Sequence, residues 1–274
     1  MPGRGCQMGT FNRLHALRGL VLACGLAWFG PAADLEAATL LTPGSVAPAR
    51  NSSENSSEPF GALAAVLTYG GLRDKWLGVE RKLDDERVQL ALCDGDRERC
   101  ASPAALQLLA IVDNARAREG RARIGEINRA INLAIRPMSD LAQYGQADVW
   151  SSPLITFARG AGDCEDYAIA KFVALGLAGI SPDDLRIVVV HDTVSGEDHA
   201  VAAARLEGHW LTLDNRRMAM VEDANARNTR PLFVIDRHDV MRYVGTPWLA
   251  SLPDQGRLVA LDLTGQPASI SASN

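Results

Sequence analysis

Hydrophobic positions recur along this chain with two periods, and the change of period divides it. In residues 74–92, Trp76, Val79, Leu83 and Val88 fall on one side of a helix. A second helix opens at Ser102-Pro103, where proline suits the first turn. Its stripe is Leu106, Leu109 or Ala110, Val112 or Asp113, and Arg116. A third covers 121–135, with Ile124, Ile127, Ile131 and Ile135 spaced by three and four and Pro137 ending it. Residues 140–159 read as a loop. A fourth helix follows Asp163, a good N-cap, with Ala168, Phe172 and Leu175 at i, i+4, i+7. After Gly176, Gly179 and Ser181-Pro182 the period becomes two. Residues 185–190, 199–206 and 209–213 read as strands, the last two joined by a Glu207-Gly208 turn, and 233–235 and 258–263 as further strands. The pattern predicts an α+β chain: a helical lobe over about 60–180 and an antiparallel sheet lobe over about 181–265.

Residues 1–37 read as a secretory signal. Arg4, Arg13 and Arg18 accompany an apolar stretch, 20–29, too short to span a bilayer, and small residues follow. Cleavage is expected between about Ala33 and Ala38, with an uncleaved anchor as the rival reading. Residues 38–59 are polar and poor in core formers, a flexible linker. Residues 60–274 then form the functional domain. Its hydrophobic content suits a sizeable core, and the net charge of −5 offers no basic patch for nucleic acid. Export implies an oxidising compartment, the periplasm. There Cys93 and Cys100, on either side of a turn-forming Asp-Gly, suggest a local disulfide. With Cys6 and Cys24 in the signal, Cys164 is the odd thiol.

Cys164 would sit in the first turn of its helix, where unpaired N–H groups and the helix dipole favour a thiolate. A buried structural cysteine is the plain alternative. Asp163, Glu165 and Asp166 crowd it, and negative charge raises a thiol's pKa. Either the cysteine is inert or something positive offsets the acids. A hard cation such as calcium, which takes carboxylate and carbonyl oxygens, would do so. Acyl chemistry at Cys164 also needs a base and a group to orient it. His199 at a strand start and Asp214 after the next strand fall at the same sheet edge if the hairpin forms. His191, His209 and His238 are alternative bases, and Asp214 could instead cap a turn with Asn215.

The strings Gly162-Asp-Cys-Glu-Asp-Tyr-Ala-Ile-Ala-Lys171, Asp198-His-Ala-Val201 and Leu213-Asp-Asn215 resemble the bacterial transglutaminase-like cysteine proteinases, and among them the periplasmic LapG-type proteases. The resemblance covers about 150–214 well and the helical lobe loosely. It implies a papain/transglutaminase-like α+β core, with Cys164 as nucleophile, His199 as general base and Asp214 orienting it. It implies calcium held by Asp163 and Glu165, with Asp166 and the loop residues Asp192, Glu197 and Asp198 as further candidates. The implied substrate is a large cell-surface adhesin cut in its N-terminal region, which releases the biofilm. The implied regulator is an inner-membrane cyclic-di-GMP receptor that sequesters the protease. The same three residues would also serve a transglutaminase or a peptide amidase, and a non-catalytic calcium-dependent envelope binding module is the remaining alternative. For the oxyanion, the Cys164 N–H and a donor near Trp150 are expected.

Overall fold

The computed structural model describes residues 58–244. The expected signal, the linker up to residue 57 and the strand at 258–263 lie outside the described residues. The last two linker residues are packed: Glu58 pairs with Arg186 at 2.7 Å and Pro59 is buried.

Strand β1 (Leu63–Val66) comes first and is followed by three helices: α1 (Gly71–Gly95), α2 (Pro103–Arg116) and α3 (Gly120–Ala134). Trp76, Val79 and Leu83 are buried as their spacing predicts, but Val88 faces solvent. Ser102 caps α2, its Oγ accepting from Ala105 N at 3.2 Å. Cys93 and Cys100 are bonded, tying the end of α1 to the start of α2. The Asp94-Gly95 pair, expected between the cysteines as a turn, instead forms the last residues of α1.

The segment expected as loop contains two short helices, α4 (Asp140–Tyr144) and α5 (Pro153–Arg159). Both are too short for hydrophobic periodicity to show, and each ends on a left-handed glycine, Gly145 and Gly160. A buried Glu86 carboxylate from α1 accepts from Ser152 Oγ and Leu154 N, fixing the start of α5. The pieces β2 (Arg136–Pro137) and β3 (Ala161–Gly162) pair in parallel and lead into α6 (Cys164–Leu177).

The rest is sheet: β4 (Leu185–Asp192), β5 (Asp198–Leu206), β6 (His209–Leu213), β7 (Val221–Glu222), β8 (Thr229–Ile235) and β9 (Val240–Val244). The seven strands run in the order β1-β9-β8-β4-β5-β6-β7, all pairs antiparallel. Two differences from the sequence reading follow. Residues 63–66, placed in the helical lobe, belong to the sheet edge. Residues 240–244, not foreseen, form the strand that holds them there.

Alternation along β4, β5 and β6 sorts the sheet's faces. Ile187, Val189, Ala200, Ala202, Ala204, Leu211 and Leu213 join the main core with α6, α2 and α3. Val188, Val190, Val201, Ala203, Trp210 and Tyr243 form a smaller cluster on the other face. Small alanines on the α6 side of β5 let the helix lie close to that strand, so nearly every residue from Cys164 to Leu175 is buried.

Candidate functional site

The start of α6 is built by close approach. A methyl group on Gly162 would fall 2.8 Å from Asp166 Cβ and 3.1 Å from Thr156 Cγ2, so only glycine lets the chain pass beneath the first helical turn. Asp166 Oδ1 accepts from Ser151 N at 2.9 Å, tying the segment before α5 to the same turn. Tyr167 OH donates to the Ile135 carbonyl. Cys164, the first residue of α6, is thereby held rigidly and is buried.

Two neighbours of its sulfur are direct. Ala200 N, the amide after His199, lies 3.3 Å from Sγ, so the sulfur abuts β5 at the predicted base. Glu165 Oε2 lies 3.2 Å from Sγ on the other side. Cys164 is also disulfide-bonded in this structure, which corrects the expectation of an odd, unpaired thiol. Nucleophilic chemistry therefore belongs to the reduced form.

His199 and Asp214 meet. The pairing Ala202↔Leu213, continued by one step, sets Asp214 across from Val201, a diagonal neighbour of His199 on the same face. His199 Nε2 is 2.8 Å from Asp214 Oδ1. The other ring nitrogen, Nδ1, is buried without a hydrogen-bond partner among the described residues. Arg216 N also donates to Asp214 Oδ1 at 2.9 Å. Burial pushes Asp214 up, but the hydrogen bond and charge of His199, then the Arg216 amide and the Lys171 charge, outweigh it and hold the carboxyl at about 2. A cleft of about 350 Å³ beside the pair is lined by both residues, Val190, Val201, Thr212 and Arg216.

The alternative bases are elsewhere. His191 Nδ1 is 2.8 Å from Asp198, and His209 and His238 are exposed. The loop acids Asp192 and Glu197 face Arg216, at 3.4 and 3.8 Å, rather than the acids around Cys164.

Those acids form a cluster that sequence reasoning caught only in part. Asp163 and Glu165 are joined by Asp140, all three buried, with one ligand atom of each within 4.8 Å of the others. Asp140 begins α4, far upstream, and no local pattern marks it. Val149 N donates to its Oδ2, while Asp140 Oδ1 and Asp163 Oδ1 are buried without hydrogen-bond partners among the described residues. Burial first, then mutual repulsion, raises Asp163 to about 7 and lifts Glu165 well above the carboxylate range. Burial likewise raises Asp166 to about 8 and Asp140 above its ordinary value. Several buried carboxyl groups at one point must either hold protons or share a cation, and an all-oxygen donor set of this kind suits a hard divalent ion. Near the expected second oxyanion donor, Trp150 Nε1 donates to Asp148 at 3.0 Å, and Asp148 pairs with Lys75.

Among solved structures, LapG of Legionella pneumophila is similar over 51% of this chain and 77% of its own, at 21% identity and a TM-score of 0.46. A calcium-bound form of that protein matches over 52% and 79% at the same identity and TM-score. A structure titled as a TGase matches over 40% of this chain and 30% of its own, at 13% identity and a TM-score of 0.33. A search of curated proteins found no match. The model of one family, described as bacterial transglutaminase-like cysteine proteinase, matches residues 89–229, just over half of the 274 residues. That span takes in α2 through β7 with Cys164, His199 and Asp214, and the chain belongs to this family of cysteine proteinases.

Proposed function

We propose that this chain is a calcium-dependent cysteine endopeptidase of the periplasm, with Cys164 as nucleophile, His199 as general base and Asp214 as the residue orienting His199. The observation that carries the reading is the His199–Asp214 contact, together with the approach of the amide after His199 to the Cys164 sulfur at 3.3 Å. Asp214 accepts from Nε2, which leaves Nδ1 as the nitrogen able to take the thiol proton. The reduced sulfur attacks a peptide carbonyl, the imidazolium protonates the leaving amine, and water then hydrolyses the thioester. The Cys164 N–H, at the open end of α6, is the oxyanion donor this reading assigns. The cleft beside His199 and Asp214 is the place for the peptide.

Asp140, Asp163 and Glu165 would hold the calcium ion, with carbonyls and water completing its shell. Bound there, the ion supplies positive charge against carboxylates that otherwise oppose a thiolate. The chain's own residues do the rest: the Asp163 carbonyl accepts from Tyr167 N to open the turn that presents Cys164, and Asp166 fixes the segment beside it.

The substrate in this reading is the N-terminal region of a large cell-surface adhesin. Cleavage would release the adhesin and disperse a biofilm, under an inner-membrane cyclic-di-GMP receptor that sequesters the protease. Support for these three elements comes from the family resemblance of the sequence. The test is incubation of the reduced protein with N-terminal adhesin fragments, with and without calcium. Wild type should cleave in calcium and lose at least about 100-fold in rate on chelation. Cys164→Ala should not cleave while remaining folded by circular dichroism. Full activity in that variant would refute the assignment.

A further inference from the structure

Lys171 plays no part in the chemistry above, yet it is fully buried. A buried ammonium is costly unless hydrogen bonds and charge compensate it. Lys171 lies seven residues after Cys164, two helical turns on, and so on the same stripe of α6. From there Nζ donates to the Leu213 carbonyl at 3.3 Å and stands 5.7 Å from the centre of the Tyr167 ring. Leu213 ends β6, and Asp214 follows it. Asp214 and Lys171 act on each other by charge. Helix α3 holds the same turn from another side. Asn128 Nδ2 donates to the carbonyls of Arg217 and Met218 at 3.2 and 3.0 Å. Asn132 Nδ2 donates to those of Asp214 and Arg217 at 3.0 and 2.9 Å. The backbone from Leu213 to Met218 thus hangs on three side chains, of which Lys171 alone carries charge.

We propose that Lys171 is a positioning residue for the His199–Asp214 pair: its buried ammonium anchors the Leu213 carbonyl and sets a positive charge behind the turn that aims the Asp214 carboxylate at His199. The proposal rests on the proteolytic reading and deepens it. Lys171 acts through Asp214 and touches no reacting atom. Tyr167 faces it from its own helix and Asp214 from the end of β6, while Asn128, Asn132 and His199 meet the same turn from α3 and β5. Burial lowers Lys171 to about 7 against the upward pull of Asp214. The counter-charge is therefore fullest below neutrality and fades as pH rises.

The experiment compares kcat and KM of wild type, Lys171→Met and Lys171→Gln on one peptide substrate across the neutral range, together with thermal unfolding. Methionine is apolar and of similar volume, so removing the buried charge should leave stability unchanged or higher. Its kcat should fall at least about tenfold below neutrality, with KM within about twofold, and the deficit should narrow above the lysine's titration. Glutamine keeps a donor for Leu213 without charge and should behave like methionine. Wild-type kcat in either variant overturns the proposal, as does an equal deficit at every pH accompanied by lost stability. If the methionine variant fails to fold, the glutamine variant decides. Activity retained in Cys164→Ala would instead sink the proteolytic reading itself, so the two failures are distinguishable.

Discussion

Asp214 shows how much one side chain depends on its neighbours. Burial alone would raise it, yet its contacts hold it at about 2. A carboxyl lowered in the folded state contributes stability that is present above its unfolded value, about 4, and lost as pH falls through its folded one. Asp214→Asn should therefore be less stable than wild type at neutral pH, with the difference closing between about pH 4 and about pH 2 in urea titrations. Its activity should fall at least about 100-fold, because the imidazole loses the partner that fixes its orientation. Asp140 carries a separate prediction. Asp140→Asn should raise the calcium concentration for half-maximal activity at least about tenfold, as read from a metal titration. Cys164, His199 and Asp214 were legible because each stands at a helix start or strand end that the hydrophobic pattern locates. Asp140 was not, because its link to Asp163 is made only in three dimensions. Lys171 was not singled out, because a lysine within an apolar helix gives no sign of what it faces.

Among the elements, α1, α3, α6 and the β5–β6 hairpin followed from period, since each is long or strongly alternating; α2 formed where its Ser-Pro start predicts, but its buried stripe is Ala105, Leu108, Leu109, Val112 and Ala115, while Ala110, Asp113 and Arg116 of the expected stripe are exposed. α4, α5, β1 and β9 did not follow from period. The two helices are set by glycine stops and by buried side chains such as Glu86, and β1, at the sheet edge, is held by backbone pairing to β9. The Cys93–Cys100 bond closes a short loop at the junction of α1 and α2. Replacing both cysteines by alanine should cost about 2.5 kcal/mol by loop entropy, seen as a melting temperature lower by about 5–10 °C. Activity below that temperature should be unchanged. Gly162→Ala should be worse, since the new methyl group meets Asp166 and Thr156 beneath the first turn of α6. The expected result is loss of activity together with about 1–3 kcal/mol of stability, measured by denaturant unfolding.

At the scale of the whole molecule, α6 joins the helical layer to the sheet, and the candidate site stands where its N-terminus meets the ends of β5 and β6. The sulfur comes from one layer and the imidazole and carboxylate from the other, so the chemistry depends on the packing between them. The acids gather on the helical side of that junction, where a bound cation would couple stability to activity. Calcium should raise the melting temperature in a concentration-dependent manner, and a chelator should reverse it. The proposed pairing of Cys164 with His199 can be tested without a known substrate. The measurement is the iodoacetamide alkylation rate of Cys164 in the reduced, calcium-loaded protein at about pH 6, located by peptide mapping. The account predicts labelling at least about tenfold faster than an ordinary thiol, lost in His199→Ala. Slow labelling at the same rate in both proteins would contradict it.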